Sequence, residues 1–253
     1  MSNTTPRVMA VIPARIASTR LSRKPLLRDT GKYLFQHVYE AVSKARALDA
    51  VILATDSEEI AAAAREAGVK FEMTSAEHFC GTDRVAEVAS RYPSAEIVVN
   101  VQGDEPEVRP EDVDLLVKTL IQSETDAATL AAPCPPDRVH DNATVKVVLD
   151  LRGRALYFSR SPIPYPRFPS GMPPGRVHLQ HAGLYAFRRD TLLTFTKLTP
   201  TPLERTEGLE QMRLLENGKS IAVGLMEKAP CGIDTPADYQ RFLAAWNASS
   251  VSA

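Results

Sequence analysis

The chain lacks the usual glycine-rich phosphate loops. Its 253 residues hold only 12 glycines, in neither G-x-x-x-x-G-K-[ST] nor G-x-G-x-x-G spacing. That excludes a Walker-type loop and the common dinucleotide fingerprint. Cysteine is scarce as well. Cys80, Cys134 and Cys231 are odd in number and scattered, which argues against a disulfide framework and fits a reducing compartment. No C-x-x-C or paired-histidine spacing suggests zinc. There is no surplus of charge: 30 basic residues against 31 acidic ones leave a net charge of −1. No global positive field therefore invites nucleic acid, and any cationic function must be local. Nor is there an apolar run long enough to span a bilayer, and the run in MSNTTPRVMAVIPAR is too short for a secretory signal. A cytoplasmic protein without a membrane span is expected.

What is present is an alternation of apolar runs with amphipathic segments. Met9–Ile12, Ala50–Thr55, Val69–Met73, Glu96–Gln102 and Ala127–Pro133 read as strands. Between them, Tyr33–Leu48, Glu58–Gly68, Thr82–Tyr92 and the segment opened by Pro110 carry helical spacing. Ser57 suits the cap of the second helix, and Gly68 its end. Apolar strands separated by helices imply α/β architecture: a mostly parallel sheet with helices on both faces and ligands at the carboxyl ends of the strands. After Cys134 the texture changes. Val145–Asp150, Ala155–Arg160 and His181–Phe187 read as strands around Ser161–Gly175, a segment with six prolines. Helix patterns return at Arg189–Leu198, Leu203–Asn217 and Thr235–Trp246, with a strand at Ile221–Met226. One domain is expected, with a β-rich lobe at about 134–188.

Chemistry is looked for at the strand ends. The loop IPARIASTRLSRKPL (Ile12–Leu26) follows the first strand and carries Arg15, Arg20, Arg23 and Lys24. Arginine neutralises phosphate bidentately and lysine as a point charge; an ordinary solvated loop is the competing reading. VNVQGDEP (Val99–Pro106) puts Asp104 at the mouth of a buried strand, placed for a hard cation that prefers one or two carboxylates, and Gly103 allows close backbone approach to a ligand. In GIDTP (Gly232–Pro236), Asp234 or Thr235 reads first as a helix cap. Gly81 and Thr82 open a helix with their N–H groups, while Asp83 and Arg84 read as solvent-facing. Arg160, His181, Tyr185, Glu210 and Gln211 each have a structural explanation, and spacing alone raises none of them.

Eight stretches occur in order across nearly the whole chain: IPARIASTRLSRKPL, ILATDSEEI, CGTDRVAEV, VNVQGDEP, VKVVLD with ALYFSR, HAGLYAF, LERTEGLEQMRLLENG and GIDTP. Together they resemble the CMP-KDO synthetase family, the 3-deoxy-manno-octulosonate cytidylyltransferases. The resemblance implies a nucleotidyltransferase fold (nucleotide-diphospho-sugar transferase-like), usually a homodimer. It implies that CTP and KDO give CMP-KDO and pyrophosphate for lipopolysaccharide biosynthesis, with Mg2+. By the same resemblance Arg15 and Lys24 meet the triphosphate, and Ser18 and Arg20 support the loop. Ala14, Cys80, Gly81 and Gln102 fall where the family holds cytosine and ribose. Asp104 and Asp234 match the metal-binding aspartates, which displaces the cap reading of Asp234. Arg160, His181, Tyr185, Glu210 and Gln211 align with the sugar-acid pocket.

The chain also departs from the family pattern. The family loop usually reads L-P-G-K-P-L, whereas Leu21, Ser22, Arg23 and Lys24 stand here, and the arginine before the pocket histidine is Gln180. The proline-rich segment differs too. These departures leave the reaction class intact and open the choice of sugar acid, with 8-amino-KDO or sialic acid as alternatives. A non-catalytic nucleotide-sugar binding protein on the same fold is the reading outside enzymes.

Overall fold

The computed structural model describes residues 7–16, 21–78, 80–167 and 178–250, the side chains of 249 and 250 excepted. The sequence expectations for Ser18 and Arg20, and for most of the later half of the proline-rich segment, lie outside these residues. The described chain divides into two compact units: residues 1–114 with 230–253, and residues 115–229.

The first unit is built on four strands: β1 (Val8–Ala14), β2 (Ala50–Thr55), β3 (Phe71–Met73) and β4 (Ile97–Asn100). They lie in the order β3-β2-β1-β4 and every pairing is parallel. Met9, Ala10, Val11 and Ile12 have no exposed surface, as expected of a strand covered on both faces. Helices α1 (Leu34–Val42), α2 (Glu58–Glu66) and α3 (Gly81–Ser90) connect these strands, and α4 (Pro110–Gln122) follows β4. The Ser57 hydroxyl accepts from the Ile60 N–H at 3.3 Å, so it caps α2 as its position predicts.

Helix α1 is shorter than its apolar stripe. Past Val42 the backbone tightens to bonds three residues back, Lys44 to Ala41 and Ala45 to Val42, and the Ala47 N–H turns to the Asp114 carboxylate at 2.8 Å. A side chain thus captures a donor the next helical turn needs. The last helix, labelled below as α8, also belongs to this unit.

The second unit contains β5 (Ala127–Pro133), β6 (Lys146–Leu149), β7 (Ala155–Ser159), β8 (Leu179–Arg188) and β9 (Ile221–Leu225). Strand β5 runs parallel to β9 and antiparallel to β8. Strand β6 is antiparallel to both β7 and β8, so the texture change after Cys134 reflects a switch from parallel to antiparallel pairing. Helix α5 (Arg189–Phe195) follows β8, while α6 (Pro202–Glu207) and α7 (Met212–Glu216) precede β9.

The single helix expected over 203–217 is two. Gly208 closes α6 in the left-handed region at φ 64°, which glycine enters without a Cβ clash. Helix α8 (Pro236–Ser250) begins one residue later than expected and runs four residues further. Its Tyr239 and Phe242 form a buried cluster with Leu34 and Ile233, which seats the 232–235 segment in the first unit.

Candidate active site

Strand β1 ends at Ala14, and the next residue, Arg15, turns its guanidinium onto the backbone. Nη2 donates to the His78 carbonyl at 2.6 Å and to the Cys80 carbonyl at 2.9 Å. Arg15 therefore fixes the segment that leads into α3. Cys80 is the residue before that helix, in extended conformation, and Gly81 is its first residue. A Cβ on Gly81 would stand 3.3 Å from the Pro13 ring and 3.6 Å from Gln102 Oε1. Ala14, Arg15, Cys80, Gly81 and Gln102 thus gather at the ends of β1 and β4, at the start of a ten-residue helix. Gly103 has a different neighbour from the one its sequence suggests. A Cβ there would lie 2.8 Å from the Pro13 carbonyl oxygen, so the close approach required is to β1 itself.

Three residues far apart along the chain meet at a second point in the same unit. Lys24 opens a short turn, Lys24–Leu26, and is buried. Its Nζ donates to Asp104 Oδ2 at 2.6 Å, to the Ile233 carbonyl at 2.7 Å and to Asp234 Oδ1 at 3.3 Å. The two acid-bearing segments are stitched by the Ile233 N–H on the Asp104 carbonyl at 2.9 Å. Ile233 itself is buried in the cluster with Tyr239 and Phe242.

The cap of α8 is made by other side chains. The Thr235 hydroxyl accepts from the Asp238 N–H at 3.2 Å, and the Asp238 carboxylate accepts from the Thr235 N–H at 2.9 Å. This reciprocal arrangement satisfies the helix end and leaves the Asp234 carboxylate for Lys24. Glu105 adds a third acid. Its Oε2 is sealed without a hydrogen-bond partner, and burial, reinforced by the charges of Asp104 and Asp234, pushes its pKa up to about 8.

Arg23, at the position where the family carries glycine, sits at φ 54°. This is the left-handed region that a side chain disfavours, and its guanidinium pairs with Glu59. Arg84 corrects the sequence reading. It has no exposed surface and donates to Asp56 Oδ2 at 2.7 Å and to the Thr74 hydroxyl. Asp56 and Thr74 follow β2 and β3, so this buried pair ties α3 to those strand ends. A TDR triplet on a helix looks amphipathic, and only the fold shows that its arginine points inward.

The five residues assigned to a sugar acid lie in the second unit. Arg160 follows β7. Its guanidinium donates to the carbonyls of Glu207 at 2.7 Å, Asn142 at 3.0 Å and Gly208 at 3.4 Å. The Glu207 carboxylate accepts from the Ser159 hydroxyl and the Arg160 N–H at 2.6 and 3.0 Å. Fully buried Lys146 donates to the carbonyls of Asp141, Thr144 and Arg160 at 3.0, 2.5 and 2.6 Å. His181 and Tyr185, on β8, have ring centroids 5.4 Å apart, and His181 meets Phe158 edge-on at 5.0 Å. Although part of the residue reaches solvent, the ring is desolvated by this packing, which pushes its pKa down to about 3. Glu210 is half-buried. Gln211 is buried, and its Nε2 is sealed without a hydrogen-bond partner.

The site thus groups the sequence-expected residues into sets within each unit. Glu105, Glu207, Lys146 and Thr129 were not singled out from sequence. Glu105 had a visible signal, as the acid next to Asp104 at a strand end. Thr129 had none, inside the apolar run AATLAAP.

A model of the cytidylyltransferase family matches residues 9–221. The 3-deoxy-manno-octulosonate cytidylyltransferase of Geobacter sulfurreducens is 46% identical over 93% of this chain and 98% of its own. The protein of that name from Solibacter usitatus is 44% identical over 96% of each. A solved CMP:2-keto-3-deoxy-manno-octonic acid synthetase complexed with CTP superposes with a TM-score of 0.91 at 39% identity, covering 96% of this chain and 99% of the other. A 4-diphosphocytidyl-2C-methyl-D-erythritol synthase from Anaerococcus prevotii shares the fold at 16% identity and a TM-score of 0.64. The chain belongs to the cytidylyltransferase family, among its 3-deoxy-manno-octulosonate cytidylyltransferases.

Proposed function

We propose that the chain transfers CMP from CTP to the anomeric hydroxyl of KDO and releases pyrophosphate. The observation that carries this reading is the Lys24 ammonium held between Asp104 and Asp234, in a chain with close relatives named for that reaction. The hydroxyl attacks the α-phosphorus in line, so the protein's task is positioning and charge stabilisation. Ala14, Cys80, Gly81 and Gln102 receive the nucleoside. Lys24 neutralises charge that builds on the departing pyrophosphate, and Ser18 and Arg20 complete the loop. Arg15 holds the His78 and Cys80 carbonyls while adding its charge to the triphosphate end.

The donors also fit magnesium. Asp104 and Asp234 already share one cation, and a hard divalent ion takes one or two carboxylates together with phosphate oxygens. Among the described residues no cluster of three or more metal-binding side chains competes with them. Asp104 and Asp234 would hold the ion, which when bound polarises phosphate oxygens and lowers the pKa of the attacking hydroxyl.

In the second unit Arg160, His181, Tyr185, Glu210 and Gln211 receive the sugar acid. The carbonyl-bound guanidinium of Arg160 supplies positive charge for its carboxylate. The same reading makes the protein a cytoplasmic homodimer that serves lipopolysaccharide biosynthesis. No described helix is long and apolar enough to cross a membrane.

The test is pyrophosphate release from CTP with KDO, 8-amino-KDO or sialic acid, with magnesium or with a chelator. Release that needs both magnesium and a sugar acid, with the highest kcat/KM for KDO, is expected. Release without a sugar acid, or from no pair, refutes the proposal.

A further inference from the structure

Strand β8 is irregular where it passes Thr129. The register runs Thr129 opposite Tyr185 but Leu130 opposite Ala182, so Gly183 and Leu184 bulge out between them. A bulge interrupts the ladder and leaves carbonyl groups in need of donors. The fully buried Thr129 hydroxyl answers that need. Its Oγ1 lies 2.7 Å from the Leu184 carbonyl and 3.2 Å from the Ala182 carbonyl. The same oxygen lies 2.9 Å from His181 Nε2.

Direction follows from valence. Carbonyl oxygens only accept, so the one hydroxyl proton of Thr129 goes to them. The Thr129 oxygen is left as an acceptor toward the imidazole, and Nε2 must then carry the ring proton. The desolvated ring stays neutral, which leaves Nδ1 with a bare lone pair. Among the described residues Nδ1 has no hydrogen-bond partner, and it is not one of the sealed atoms.

We propose that Thr129 is a positioning residue that locks His181 in the Nε2–H tautomer, so that Nδ1 accepts a hydrogen bond from a hydroxyl of the sugar acid. This rests on the reading that His181 faces that substrate. The bulge therefore sets both the place and the hydrogen-bonding sense of the imidazole: it takes a substrate O–H and offers no N–H in return. The arrangement discriminates between ligands. A hydroxyl donates to Nδ1, whereas an ether or carbonyl oxygen at the same point meets lone pair with lone pair.

The experiment reads the ring directly, by long-range proton–nitrogen NMR of the full chain at neutral pH. Loss of signal in His181→Gln assigns the resonances. Wild type is expected to show a protonated Nε2 and a bare Nδ1, whose resonance moves on addition of KDO. Thr129→Val, close in shape, is expected to lose the tautomer preference and to raise KM for KDO by about tenfold, the effect of one lost hydrogen bond, with KM for CTP unchanged. Thr129→Ser, which keeps the hydroxyl, restores both readouts. A wild-type ring protonated on Nδ1 overturns the proposal, and so does a Thr129→Val protein with unaltered tautomer and KM. Should Thr129→Val fail to fold, the wild-type spectrum and Thr129→Ser decide. If His181→Gln leaves KM for KDO unmoved while the wild-type ring is Nε2–H, it is the placement of the substrate against His181 that fails.

Discussion

In the first unit Lys24 is held by two carboxylates and one carbonyl, and Arg84 by a carboxylate and a hydroxyl. In the second, Lys146 is held by three backbone carbonyls, and so is Arg160. The difference bears on what each region can receive. Two carboxylates around one ammonium leave one negative charge uncompensated, and such a set can exchange partners when a metal–triphosphate brings both signs of charge. Cations bound by carbonyls keep neutral acceptors on their N–H groups, and the Glu207 carboxylate beside Arg160 offsets part of their charge. On the proposed function, the first region receives a polyanion with its metal and the second a carboxylate.

Substitutions in each unit can break that contrast. The largest effect is expected on folding. Asp56→Ala strands the buried Arg84 guanidinium and should cost about 3 kcal/mol or more in urea unfolding. Next, Asp104→Asn and Asp234→Asn should lower turnover by about a hundredfold or more, roughly 3 kcal/mol, while circular dichroism stays unchanged. Equal turnover at saturating magnesium would remove that residue from the metal site.

Lys24→Ala should raise KM for CTP and slow the chemical step, by roughly tenfold to a hundredfold in kcat/KM. A change confined to the sugar's KM would reverse the assignment of the two units. His181→Gln should do the opposite, raising KM for the sugar acid and sparing CTP. It also sharpens a pH effect. The folded pKa of His181 is about 3, below the ordinary 6.5, so as pH falls the unfolded chain takes the proton first. The stability tied to the neutral ring is complete above 6.5 and lost as pH falls toward 3. His181→Gln should flatten that part of the stability curve.

The smallest effect is expected at Arg23. Glycine relieves a left-handed φ worth about 1 kcal/mol, offset by its looser unfolded chain and by the loss of an exposed ion pair. Arg23→Gly should therefore keep or slightly raise the unfolding midpoint.

These contrasts were unequally legible in the sequence. Buried parallel strands announce themselves, and AVILAT is observed over the six residues expected, Ala50–Thr55. Side-chain and backbone choices at element ends do not. The Tyr33–Leu48 stripe outlasts its helix: Lys44 and Ala45 already bond three residues back, and the Ala47 N–H goes to the Asp114 carboxylate. Gly208 marks a helix end that a continuous apolar pattern concealed. At the site, Asp104 was readable from its place after a strand. Asp234 was readable only through resemblance, since a carboxylate before Pro236 looks like a cap until Thr235 and Asp238 are seen to make it. Arg84 and Thr129 were hidden, because burial of a charge and pairing across a bulge depend on chain segments distant in sequence.

Lys24, Asp104 and Asp234 are proposed as the triphosphate and metal end of the site. A crystal structure with CTP and magnesium tests that assignment most directly. The β- and γ-phosphates are expected beside Lys24, with the metal ion on the carboxylates of Asp104 and Asp234. A triphosphate bound elsewhere, with Lys24 still paired to both aspartates, would contradict it.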